Sequence, residues 1–333
     1  MMHSPKVLRV AATSSLLALF LAPVAAHAQT KTLPEQIADV MTKLAGGVHP
    51  GLRMTHTKGL VATGTFTPAP SAKTLSRAAH LQDASVPVTV RFSDGTGVPN
   101  IPDNNENASP HGMAIRFALP GGAYTDIVAN SHNGFFVGNG NDFLAFLTAV
   151  ASTTDKSPHP SPIESFLGAH PAALKVIVDS KAPSKSFENL DFYGNNAFIF
   201  VDAAGNKHPF RYQIVPVAGV VKLDSATSAK QKPDYMFDDL KRTIAKGPVK
   251  YTVYAQLANP GDPTNDGSVV WPSDRKRVEL GTLSVTKLVA NSDSAQKALA
   301  FNPIILTNGI TLSDDPLPSL RSSVYALSVA HRR

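Results

Sequence analysis

Two blocks of short β-rich segments, separated by a helical stretch, constrain this chain more than any other feature. From Gly59 to Phe136 the segments "GLVATGTFTP", "VPVTVRFSD", "GMAIRFALPGG" and "YTDIVANS" are rich in β-branched and aromatic residues and punctuated by glycine and proline. Segments of that length and pattern read as strands joined by tight connections. Helical patterns follow in "DFLAFLTAVAS" (142–152) and "IESFLGAHPAALKVIVDS" (163–180). A second strand set then comes in "NAFIFVDAAGNKHPFRYQIVPV", "VKYTVYAQLA" and "KRVELGTLSVTKLV", with "DYMFDDLKRTIAKG" reading as a helix among them. Runs of strands interrupted by helices predict an α+β fold with a mainly antiparallel sheet, most simply a closed barrel with helical insertions. Ahead of the strands, "TLPEQIADVMTKLAGG" sets Ile37, Val40, Met41 and Leu44 on one face and ends in glycine. A surface helix docking on the body is expected there.

The first 28 residues stand apart from this pattern. Lys6 and Arg9 precede the apolar run "SLLALFLAPVAA", and "AHA" precedes Gln29. That is the layout of a cleaved secretory signal, and the apolar run is too short to span a membrane. Residues 1–28 are therefore expected to be a signal peptide. Residues 29–333 are expected to form a single domain working in the periplasm or outside the cell. No later segment is long and apolar enough to cross a membrane. The chain has no cysteine, which excludes disulfides, thiolate metal sites and cysteine nucleophiles. Its formal charge of +6 falls to +4 without Lys6 and Arg9. The remaining basic residues are scattered, with no basic-aromatic stretch, so nucleic acid is not an expected partner.

Several motifs fail on inspection. "DNNEN" (103–107) lacks the sixth-position glycine and terminal glutamate of a calcium loop. "GNGNDF" lacks the third glycine of a dinucleotide turn. No nucleophile elbow, zinc-protease helix or phosphate loop is present. In "RMTHTKGLVATGTF" (53–66), His56 stands three residues after Arg53. A lone histidine is most often an ordinary surface or core residue; its company singles this one out. Alternation puts Arg91 and Ser93 on one face of a strand, and Asn130 falls at a strand end shortly before Phe135 and Phe136. At the far end, "RSSVYALSVAHRR" places Arg321 and Tyr325 one helical turn apart. A guanidinium beside a phenol favours the phenolate, a hard ligand for ferric iron. The plainer reading is a basic tail with a tyrosine packed on the core. An imidazole and an amide over an apolar cofactor plane, with a phenolate beneath, would instead make a haem peroxide site.

Taken together these segments resemble the haem catalases, and more closely the short secreted branch of catalase-related peroxidases. "HTKG", "VRFS", "DIVAN" with Phe135 following, "VVWP" with "ELGTLSV", and the final stretch from "FNPIIL" to "AHRR" match family segments in order. The resemblance implies a catalase-like antiparallel β-barrel lacking the C-terminal helical domain of large catalases, and haem b with ferric iron. It makes His56 the distal histidine, Ser93 the hydroxyl that steadies it, and Asn130 the distal amide. Tyr325 becomes the iron ligand and Arg321 its charge partner. Arg53, Arg91 and Arg332 would pair with the haem propionates, and Phe135 would pack near the haem plane. The implied partners are hydrogen peroxide or an organic hydroperoxide and a small reducing donor; a homo-oligomer is allowed. Two departures bear on activity. "SPHGMA" puts Ser109 where the family's access channel has an acid, and Val329 stands where a proximal histidine is usual. Both, with the shorter length, favour peroxidase turnover with external donors over rapid dismutation. A small true catalase, or a non-catalytic haem-binding or lipid-binding barrel, are the alternatives.

Overall fold

The structure is a computed structural model, and it describes residues 1–2 and 30–332. The expected signal peptide lies almost wholly outside the described residues. The chain divides into two units, residues 1–31 and 32–333, and the fold described is that of the second. Its elements are α1 (Leu33–Leu44), β1 (Gly59–Pro68), β2 (Val86–Ser93), β3 (Gly112–Ala118), β4 (Tyr124–Asn130), α2 (Gly140–Ser152), α3 (Pro162–Ala169), α4 (Pro171–Ser180), β5 (Phe192–Val201), β6 (Lys207–Pro216), α5 (Ser225–Ala229), α6 (Tyr235–Lys246), β7 (Val249–Leu257), β8 (Arg277–Leu288), α7 (Ser292–Ala298), β9 (Ile310–Leu312) and α8 (Leu317–Ala330).

The strands pair antiparallel in the order β4-β3-β2-β1-β8-β7-β6-β5, and a β4–β5 contact closes the ring into an eight-stranded barrel. Closure removes the free sheet edges that would otherwise invite pairing with another chain. The closing contact is a single register pair, Asn130 with Tyr193. β5 then slips register between Gly194 and Phe198, and its far end pairs with β9 through Phe198–Phe200. One strand thus closes the barrel at one end and carries an extra strand at the other. The barrel interior is filled by inward-facing aromatic and branched residues, among them Phe66, Phe92, Phe117, Phe192, Phe200 and Phe210, each 1 % exposed or less. Burying a side chain of this class contributes roughly 1.5–3 kcal/mol before entropy is counted.

A second, smaller core forms outside the barrel, where α1, α2 and α8 meet. Ile37 and Ala38 of α1, Met54 of the segment before β1, Phe146 and Leu147 of α2, and Val324 of α8 are its buried members. The expected docking face of α1 is the one used: Ile37 is fully buried, and Val40, Met41 and Leu44 pack beside it. The 163–180 pattern is helical, with a break. It is two helices, broken where His170 (φ −128°, ψ 73°) precedes Pro171. Proline lacks the amide donor and pushes its predecessor out of helical geometry, so α3 ends there. Among the described residues, no helix is long and apolar enough to cross a membrane.

Candidate active site

The site is built on the outer face of the barrel, because the inner face is full. Gly59, Ser93, Gly112, Asn130 and Tyr193 stand in one register row across β1, β2, β3, β4 and β5. Cross-strand partners project to the same side of a sheet, so Ser93 and Asn130 share the outer face with the side-chain-free Gly112 between them. Arg91, Ala114 and Val128 form the neighbouring row on that face.

His56 occupies the gap left by Gly112. It has φ +51°, the only positive value at a non-glycine residue among those described, a conformation that persists only where its surroundings enforce it. The enforcement is visible. Thr55 Oγ1 donates to the Gly95 carbonyl (2.8 Å) and Thr57 Oγ1 donates to the carbonyls of Arg53 (2.7 Å) and Gly97 (3.0 Å). These bonds tie the 53–57 segment to the chain after β2. The His56 ring is then set with Nδ1 3.2 Å from Ser93 Oγ. A Cβ on Gly112 would sit 2.8 Å from that same nitrogen, so the site needs glycine there. Burial pushes the His56 imidazole down to about 3, with Arg91, Arg321 and Arg53 adding in the same direction. The ring is neutral at ordinary pH.

His56, Ser93 and Gly112 line one part of a pocket holding about 730 Å³ of empty space, open solvent included, whose lining also includes Tyr325, Val324 and Ser328 of α8. Val128, Ala114, Phe301, Met41 and Met54 supply apolar lining. Phe301 is brought in by a clamp behind it: Arg116 donates to Asp126 through two bonds of 2.8 Å and to the Ala300 carbonyl (2.5 Å), while Asn302 N–H donates to Asp126 Oδ2 (3.0 Å). Arg53, Arg91 and Arg332 line the cavity, and no aspartate or glutamate is among its described lining residues. Arg53 donates to the Leu299 carbonyl (2.6 Å) and Arg332 to the carbonyls of Gln296 and Leu299 (both 3.0 Å). Arg91 donates to the carbonyls of His56 (2.7 Å) and Thr57 (3.1 Å) and to Gln296 Oε1 (2.8 Å). Burial and the nearby Arg332 push Arg53 down to about 9. Arg91 is lowered by burial, Arg53 and Arg332. Guanidiniums crowded around a cavity with no aspartate or glutamate among its described lining residues make a place for anionic groups.

Tyr325 is held on α8 as its spacing from Arg321 predicts. Its hydroxyl oxygen accepts from Arg321 Nη2 (2.9 Å) and Nε (3.2 Å). Two cationic N–H groups converging on one phenol oxygen stabilise negative charge on that atom. Behind Arg321, Nη1 donates to Asn196 Oδ1 (2.5 Å), Asn196 Nδ2 donates to Asp315 Oδ2 (2.9 Å), and Asp315 Oδ1 accepts the Leu317 N–H (2.9 Å) at the start of α8. Sequence reasoning missed Asn196, Asp315 and Gly112. Only Asp315 left a local signal, an acid just ahead of a helix start.

Three expected residues lie outside the cavity lining: Arg321, which bonds the lining residue Tyr325, and Asn130 and Phe135. Asn130 stands beside Gly112 but is outside the lining set; Phe135 is also outside it and packs on Phe136 and Phe143 (both 5.4 Å between ring centroids). A haem asks for a ligand oxygen or nitrogen, an apolar slot and cations for its carboxylates. Tyr325, the apolar lining and the arginines fit it. Nothing else in the donor set suggests a different metal, and no cluster of three or more metal-ligating side chains occurs among the described residues.

A family model described as catalase matches residues 49–333. The chain is 30% identical over 326 residues to the catalase-related peroxidase of Synechococcus elongatus, spanning 96% of this chain and 95% of that one. It is 32% identical over 302 residues to the catalase-related peroxidase of Mycolicibacterium paratuberculosis, spanning 90% and 94%. The fold superposes on catalase A from Saccharomyces cerevisiae with a TM-score of 0.75 at 20% identity, covering 85% of this chain and 62% of that one. The chain belongs to the catalase family of haem-containing, peroxide-dependent oxidoreductases.

Proposed function

We propose that this protein is a secreted, haem b-dependent peroxidase that reduces hydrogen peroxide or organic hydroperoxides with external electron donors and retains some dismutation. One observation carries the reading: an imidazole fixed by Ser93 and a phenol fixed by Arg321 line the same cavity, among guanidiniums and apolar side chains. Tyr325 would ligate the iron, Arg53, Arg91 and Arg332 would hold the propionates, and Val128, Phe301 and Val324 would contact the ring. When bound, the haem supplies the redox centre that exchanges electrons with peroxide and donor. The chain's own residues handle the protons. Nδ1 of His56 is engaged by Ser93, leaving Nε2 for substrate. A neutral Nε2 takes the proton from the near oxygen of the hydroperoxide and returns it to the far oxygen, so that water or an alcohol leaves. Asn130 donates an N–H to hold the peroxide in line. Two electrons and two protons from the donor complete the reduction.

The near-full-length match to two proteins named catalase-related peroxidases favours donor oxidation over dismutation. The test records oxygen release from peroxide alone beside donor oxidation at matched, subsaturating peroxide. A larger kcat/KM for oxygen release, with no donor competing, makes the protein a small catalase and overturns the proposal. Secretion rests on residues 1–28. Mass spectrometry on protein from its native host should find an N-terminus at or near Gln29; a retained leader would refute it.

A further inference from the structure

We infer that Asn195 is a positioning residue that dictates which end of the Asn130 amide faces the peroxide. The inference rests on the haem-peroxidase reading and concerns a residue with no sequence motif of its own. Asn195 lies in the register slip of β5, between Gly194 and Phe198, where the ladder to β6 lapses. It is 7 % exposed. A buried amide must satisfy its polar ends locally, and this one does so on backbone. Its Oδ1 accepts the Gly134 N–H (2.9 Å), and its Nδ2 donates to the Gly134 carbonyl (3.0 Å). Backbone donors and acceptors cannot exchange roles, so this pair of bonds fixes the orientation of the Asn195 amide. A flipped amide would set N–H against N–H and oxygen against oxygen. Gly134 has φ +115°, and a Cβ there would meet Val270 Cγ2 at 2.9 Å, so glycine is needed where the two segments clasp.

The consequence passes to Asn130. The second hydrogen on Asn195 Nδ2 points to Asn130 Oδ1 (3.4 Å), and the His132 N–H donates to the same oxygen (3.0 Å). Both neighbours are donors whose identity is fixed, so that end of Asn130 is its oxygen. The other end is therefore its NH₂, and no acceptor among the described residues engages it. Asn130 shares the outer face with Ser93 across Gly112. Its orientation decides whether the distal side offers a hydrogen-bond donor or a carbonyl to a bound peroxide. Without Asn195, one of the two constraints on Asn130 is lost, and so is the clasp that holds the 131–135 loop under it.

The test uses the haem-loaded full chain and potassium cyanide, an unreactive distal ligand that accepts a hydrogen bond. Cyanide affinity of the ferric protein is titrated for wild type, Asn130→Ala, Asn195→Ala and the double variant. Asn195→Asp serves as a second probe, since it keeps the shape and has no donor. Soret intensity confirms haem occupancy in each. One lost hydrogen bond weakens cyanide binding by roughly three- to tenfold. Both single sites should show that loss, and substitution at Asn195 should add nothing in the Asn130→Ala background. Wild-type affinity in both Asn195 variants would overturn the inference while leaving Asn130 as the distal donor. So would a loss that persists undiminished in the double variant, because Asn195 would then act elsewhere. If Asn130→Ala itself binds cyanide normally, the role given to Asn130 falls and this inference falls with it.

Discussion

Gly112→Ala isolates the geometry of the candidate site with a single methyl group. The new Cβ would lie 2.7 Å from Ser93 Oγ, 2.8 Å from His56 Nδ1 and 3.0 Å from His56 Cε1. Contacts that short cannot persist, and Gly112 is held in its ladder on both sides, by β2 and β4. The imidazole therefore moves, by roughly half an ångström or more, to restore ordinary van der Waals separation. The Ser93–His56 bond is already 3.2 Å, at the long edge of the usual range, so such a shift breaks it. Two opposed terms set the stability change. Alanine in place of strand glycine is favourable by about 0.5–1 kcal/mol, while overpacking costs about 1–3 kcal/mol. The net is a loss of no more than ~2.5 kcal/mol, which leaves the protein folded. The catalytic loss should be far larger, because misplacing a catalytic group by such a distance costs on the order of 10²-fold. Stopped-flow mixing with peroxide measures the rate, and Soret titration with thermal melting checks haem binding and folding. A wild-type rate in a folded, haem-loaded Gly112→Ala protein would refute the role given to His56 and its gap.

Tyr325→Phe removes the only phenol oxygen among the described lining residues and should yield largely apo protein or an altered iron spectrum; an unchanged ferric spectrum would mean another ligand. His56→Ala should retain haem while slowing peroxide activation by roughly 10²–10⁴-fold, read by stopped flow. Because burial pushes His56 down to about 3, the wild-type activation rate should be flat from about pH 5 to 8, with no inflection near the ordinary imidazole value of about 6.5; a step there would contradict its burial. His80, 1 % exposed between Phe66 and Phe117, has a buried Nδ1 with no partner and is also pushed down to about 3 by burial. Its folded-state value is below its unfolded one, so its stability contribution is present above about pH 6.5 and is lost as pH falls toward 3, by up to about 5 kcal/mol. His80→Leu should flatten that acid limb in denaturant melts at pH 7, 5.5 and 4, and an unchanged limb would count against it.

What the sequence made legible is local. The quoted run for β1 matches the observed strand residue for residue, because glycine and proline bracket β-rich residues there. Arg321 and Tyr325 were legible because four residues on a helix is a fixed geometry, and the structure bonds them. The break at Pro171 was written in the chain, yet a continuous apolar pattern masked it. What stayed hidden depends on distant partners. Asn196 meets Arg321 across 125 positions and Asn195 meets Gly134 across 61, so neither carries a local sign. Gly112 reads as a strand-start glycine until His56 is seen above it. Asn130 was legible as a strand end, but only the clasp by Asn195 says which way its amide points.

The division of labour between the two faces of the barrel explains why the site tolerates so strained and cationic a construction. The aromatic interior is dense and carries the stability, so the outer face is free to hold residues that reduce it. Gly112 weakens a strand, His56 sits at positive φ, and Arg53 and Arg91 crowd one another at a cavity with no aspartate or glutamate among its described lining residues. Each of these would be costly in an isolated sheet. Here they are over-determined by bonds that run to the frame: Thr55 and Thr57 to the chain after β2, Arg91 to the backbone of 56–57, Asp315 and Asn196 to Arg321. Both amides of the β5 slip join in, Asn195 toward Gly134 and Asn130, and Asn196 toward Arg321, which in turn holds Tyr325. The barrel is closed through that same strand, at Asn130 and Tyr193. Loosening β5 would therefore disturb both sides of the cavity at once, whereas a change in the 131–135 loop would disturb one.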